Sequence, residues 1–122
     1  MSHIVTVRTQ VRDTTALAAA CRRLGLDPPA SGVAQLFNAT AEGQIVRLPG
    51  WHYPVVFDLA AGAAHYDHYG GRWGDPKQFD QLLQAYGVEK AKQELRRQGH
   101  QCTEQPLMDG SIKLLVIPGG AT

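Results

Sequence analysis

The chain's 122 residues, 43% hydrophobic and 19% charged, are enough to bury a core as one domain (1–122) without disulfides or metal. Twelve Lys and Arg against eleven Asp and Glu leave a formal charge of +1, so no overall field draws in nucleic acid or an anionic membrane. No run approaches the roughly 20 apolar residues that cross a bilayer, and the start "MSHIVTVRTQ" lacks a secretory-signal pattern.

In "HIVTVRTQV", Val5, Val7 and Val11 alternate with Thr6, Arg8 and Gln10, the pattern of a half-buried strand. Asp13 or Thr14 then caps a helix in which Leu17, Cys21 and Leu24 recur at helical spacing, and Gly25 with "LDPP" stops it. From Val33 to Trp51 two apolar runs flank Glu42 and Gly43. From Pro54 to Tyr69 two more flank Ala61 and Gly62, so the segment predicts a pair of hairpins. Asp75 and Pro76 open a second helix as cap and first helical residue. Its stripe of Phe79, Leu82, Leu83 and Tyr86 continues through Val88, Ala91 and Leu95, with Gly87 as a bend or break and Gly99 as the stop. "QCTEQPLMDGSIKLLVI" is a last hairpin around Asp109 and Gly110, followed by a frayed tail, residues 118–122.

The order β-α-β-β-β-β-α-β-β predicts an α+β fold: an antiparallel sheet with both helices packed on one face, ferredoxin-like or TATA-binding-protein-like in order alone. The opening "MSHIVTVRTQVRD", the "QAY" of Gln84 to Tyr86, the "RRQG" ending the long helix and the final "DGSIKLLV" resemble the chloroplast hypothetical open reading frame 35 family. These are small proteins of plastids, cyanobacteria and other bacteria, and the likeness runs over nearly the whole chain. It implies no catalytic residue. It does imply an accessory role, since some members are encoded near AAA-type ATPases.

Chemistry concentrates in "HYDHYGGRWGDP", residues 65–76. His65, Asp67 and His68 would make a metal or water-activating set if a turn gathered them, but on a strand His65 and Asp67 point one way and His68 the other. The structural alternative is a turn into the second helix, with Trp73 plugging the sheet edge. Ser2, Ser31 and Ser111 lack a nucleophile elbow, and the glycines form no phosphate loop. Cys21 and Cys102 form no CxxC pair and read as buried, reduced thiols of a cytoplasmic protein. Lys90, Lys92, Arg96 and Arg97, with Arg22 and Arg23, could form a basic patch, but Glu89 and Glu94 interrupt it. Tyr66, Arg8 and Arg47 could supply an aromatic and basic sheet face, without an RNA-binding motif.

The sequence therefore points to a non-enzymatic, macromolecule-binding module without cofactor. A protein or a second copy is the expected partner; nucleic-acid binding and a small metal enzyme are the alternatives. The periodicity places Val5, Val7, Leu17, Phe57, Phe79, Leu82, Leu83, Leu95, Leu114 and Val116 in the core. Ile4, Val56, Tyr66, Leu115 and Ile117 fall on an uncovered second sheet face, with Arg72 and Trp73 at its edge as the interaction surface.

Overall fold

Capping side chains set both helix starts. Asp13 accepts a hydrogen bond from the Ala16 N–H at 3.0 Å and begins α1 (Thr14–Arg23). Asp75 accepts from the Lys77 N–H at 3.0 Å and begins α2 (Pro76–Arg97), whose first residue is the proline that needs no donor. α2 runs through Gly87 as one helix. The computed structural model describes residues 4–117; the expected frayed tail and the first three residues lie outside them.

The strands are β1 (Val5–Arg8), β2 (Ala30–Gln35), β3 (Thr40–Val46), β4 (Val55–Asp58), β5 (Ala63–Tyr66), β6 (Gln101–Pro106) and β7 (Ile112–Ile117). This is the α+β order expected. β2 to β5 form a meander and β1 closes its far edge, giving an antiparallel five-stranded sheet ordered β1-β5-β4-β3-β2, consistent with a ferredoxin-like arrangement. Both helices lie on one face. Leu17, Ala20 and Cys21 of α1 and Phe79, Leu82 and Tyr86 of α2 bury against Val46, Val55, Phe57 and Ala64. Burial pushes the Cys21 thiol up to about 11, so it stays an inert apolar filler.

Three expectations need correction. First, β6 and β7 leave the main sheet and, among the described residues, pair only with each other, lying along α2. Cys102, Glu104, Ile112 and Leu114 are half-buried, whereas Val116, expected in the core, is 47% exposed at the hairpin's open end. Leu83 and Leu95 are likewise only half-buried, and so are Val5 and Val7 on the edge strand.

Second, Glu42 and Gly43 are not a turn. They lie within β3, and the chain reverses at residues 36–39, where the Leu36 N–H bonds the Ala39 carbonyl at 2.8 Å. Gly43 is there for proximity: a Cβ on it would come within 2.2 Å of the Phe57 carbonyl oxygen. Pairing of β3 with β4 stops at Gln44, just past that crossing.

Third, the sheet's second face is not open. The tip of the β2–β3 hairpin curls over it, so that Leu36 and Ala39 share a cleft with Ile4, Asp58 and His65. Val56, expected on an exposed face, is fully buried together with Ala34 and Leu36, outside the core beneath the helices. Tyr66 points the other way, into the core, with its ring 4.9 Å from that of Phe79.

Candidate functional site

Residues 65–76 answer to packing before chemistry. β5 ends at Tyr66, and alternation sends successive side chains to opposite faces, His65 away from Tyr66. His65 Nδ1 stands 2.8 Å from Thr6 Oγ1 across the β1–β5 pair. His68 turns toward the core side, its ring 5.2 Å from Tyr66 and 5.6 Å from Trp51, and its Nδ1 accepts the Gly71 N–H that closes a short 3-10 turn. Asp67 is fully buried: one carboxylate oxygen accepts the Tyr69 N–H at 3.2 Å, and the other has no partner among the described residues. His65, Asp67 and His68 are thus not brought together, and among the described residues no group of three His, Cys, Asp or Glu could hold a metal ion.

Trp73, expected over the sheet edge, packs instead among rings of the loops. Its ring stacks on Tyr69 at 4.7 Å and on His52 at 5.5 Å, with Phe37 from the curled hairpin tip at 5.4 Å. Trp51 lies flat on the backbone at Gly74, where a Cβ would sit 2.4 Å from the indole. Arg72 stays exposed, its guanidinium 5.2 Å from the Tyr69 ring centre. Tyr69 itself takes a left-handed backbone, φ 50°, to make this turn.

The proposed interaction surface therefore divides. Tyr66 is buried. Arg72 and Trp73 precede the start of α2, whereas Leu115 and Ile117 lie on the hairpin that returns along it. Gln84 Nε2 donates to the Gly110 carbonyl at the hairpin tip, and Lys92 Nζ reaches Glu104 at 2.8 Å. Ile117 pairs with Gln101 near the helix's far end. A 22-residue helix is about 33 Å long, so the two halves form separate sites.

The hairpin carries the larger apolar exposure. Leu107, Met108, Leu115, Val116 and Ile117 are each at least 40% exposed. Leu115 and Ile117 share its outward side with Thr103 and Gln101, and neither strand has a second neighbour among the described residues. The hairpin is tied to the helices by Arg23 and Lys92, which both pair with Glu104, while Glu89 bonds Arg23 at 3.2 Å. The same pairs dissolve the possible basic patch: Lys90 bonds Asp13 and Glu94, and Arg97 bonds Glu94.

These ties make the hairpin acid-sensitive. The Arg23 guanidinium, and then the Lys92 ammonium, hold the Glu104 carboxyl at about 2, below its ordinary 4.5. The Ala16 N–H, with Lys90 and Gln93, holds Asp13 at about 2 as well. A lowered carboxylate stabilises the fold above its unfolded pKa and loses that contribution as pH falls through its folded one. Protection of β6 amides against hydrogen exchange, taken relative to the intrinsic rate at each pH, should therefore fall between about pH 4.5 and pH 2. Glu104→Gln should give the lower protection already at pH 7, at a cost of about 1 kcal/mol after solvent screening. A β6 protection factor that does not fall on acidification of the native chain would contradict the tie.

A feature the sequence reading passed over lies on α2's remaining flank. Leu83, Gly87 and Ala91, four residues apart, floor a groove of about 700 Å3 walled by Arg8 to Val11 leaving β1. Gly87 is its signal in the sequence, where it reads as a bend or a break. It sits exposed inside an unbroken helix, where Gly costs roughly 1 kcal/mol against Ala, and a Cβ there would meet no atom within 4 Å.

No helix among the described residues is long and apolar enough to cross a membrane. Comparison with protein-family models, curated proteins and solved structures finds no match to this chain.

Proposed function

We propose that this chain is a non-enzymatic module that binds another protein, docking through the β6–β7 hairpin. The observation that carries the reading is the hairpin itself. Two strands alone are marginal in water, and this pair leaves its outer edges without a neighbour among the described residues while exposing Leu107, Met108, Leu115, Val116 and Ile117. Exposed apolar side chains on unpaired strand edges invite a further strand or an apolar partner surface. Arg72 and Trp73 offer a smaller second contact. The family resemblance makes an AAA-type ATPase the first partner to try, and the cytoplasm is the compartment in which we place the pair.

Nothing in the geometry favours the alternatives. Four of the six cations of the possible basic patch are engaged by carboxylates, and the histidines of residues 65–76 are separated.

Leu115→Glu with Ile117→Glu tests the reading, because both side chains point away from α2 and the fold should keep its melting temperature. Tagged wild-type chain should retain a stoichiometric partner from its own cells, or self-associate by light scattering. The double variant should lose at least ten-fold of that binding. Unchanged capture and unchanged mass by the folded variant would remove the hairpin as the docking element.

A further inference from the structure

The groove between β1 and α2 holds a glycine that the isolated chain does not need. Gly87 is the weakest helix former short of Pro, stands mid-helix, and has open space where a side chain would go. Local rules broken without a structural reason mark functional positions. Glycine here keeps a hollow in the groove floor between Leu83 and Ala91.

The groove's wall, Arg8 to Val11, starts at the last residue of β1, and the outer edge of β1 runs on from it. β1 pairs only with β5 among the described residues. Thr9 donates its N–H inward to the Gly62 carbonyl at 2.8 Å, so the two-residue alternation turns the backbone N–H and C=O of Thr6 and Arg8 outward. The Arg8 side chain is exposed and makes no ion pair among the described residues.

Charge decides the occupant. A second copy fits poorly: an antiparallel α2 pair crossing at Gly87 would set Glu94 against the other copy's Asp80 and Arg97 against its Lys77. A parallel pair would set each charge against its twin. An extended segment has no such conflict, because its side chains alternate. One set faces the helices and the hollow, and the other faces Arg8.

We infer that a partner protein adds an extended segment to the edge of β1, seating alternate apolar side chains in the groove over Gly87 and an acidic side chain beside Arg8. This is strand addition, with backbone hydrogen bonds from Thr6 and Arg8 and selectivity from the hollow and the cation. It rests on the protein-binding reading but uses a different surface.

A random linear peptide library displayed on phage, selected against the purified full chain, tests it. Enriched sequences should alternate apolar and acidic residues over about five positions, and their synthetic peptides should slow exchange of the Thr6 and Arg8 amides. Gly87→Gln should weaken them at least ten-fold while melting no lower than wild type, since it removes a glycine from an exposed helix position. Arg8→Glu should shift selection from acidic to basic residues. Peptides with helical i, i+4 apolar spacing, equal binding by Gly87→Gln, or no enrichment at all would overturn the inference. The two surfaces also separate cleanly. Partner capture lost with the Leu115 and Ile117 substitutions but kept by Gly87→Gln would sink strand addition alone. Peptide selection on β1 with the hairpin substitutions inert would sink the hairpin alone.

Discussion

Phe57→Ala should lower the free energy of unfolding by about 3–5 kcal/mol, the range for deleting a large buried ring. Phe57 is fully buried on the middle strand of the sheet, its ring 6.2 Å from Phe79 of α2. Its neighbours come from several strands and a helix, so they cannot collapse into the space without shifting the sheet. Urea unfolding followed by circular dichroism checks the value. A variant with the wild-type midpoint would contradict the central placement of the ring. Leu83, which the helical stripe alone would rank beside Leu82, should cost less, because it is half-buried in the floor of the open groove while Leu82 is fully buried.

Gly43→Ala should cost about 1–3 kcal/mol, the usual range for forcing atoms into a filled site. The colliding atom is a backbone carbonyl, that of Phe57, which has no rotamer to escape into. Relief requires β3 to lift from β4, which would carry the hairpin tip, Leu36 included, off the sheet's second face. Beyond the lower melting temperature, amide exchange should quicken in residues 36–43 more than in α1. An Ala variant as stable as wild type, with unchanged exchange there, would show that the crossing is looser than described.

Much of this architecture could be read from the chain because local chemistry decided it. Asp13 and Asp75 mark helix starts through hydrogen bonds within their own first turns, and Pro76 does so by needing no donor there. The turns around Gly62 and Gly110 are set by a few adjacent residues, and both take positive φ there (66° and 89°). The misreadings share another origin. Gly43 serves a carbonyl on the next strand, not a turn, and nothing in its neighbours says so. Val56 is expected on an open face, but the hairpin that closes it arrives from residues 36–39. Tyr66 stands opposite Val5 and so faces the helices with it, a register fixed between strands far apart in sequence. Alternation separates His65 from His68, so their placement on different sides of the sheet was legible. That Leu115 and Ile117 stand apart from Trp73 was not, because separating β6 and β7 from the main sheet depends on where α2 delivers the chain.

The place of β1 in the sheet also has a kinetic meaning. β2 to β5 meet in sequence, each strand turning back onto the last, and loop closure for such neighbours is fast. β1 gains its partner only across a long closure: Thr6 and His65, which touch, are 59 positions apart. The meander can therefore assemble first, with the amino-terminal strand joining a nearly finished sheet. Interactions made late in folding govern how quickly the native state comes apart more than how quickly it forms. Whatever secures β1 at that edge thus chiefly lengthens the lifetime of the folded chain.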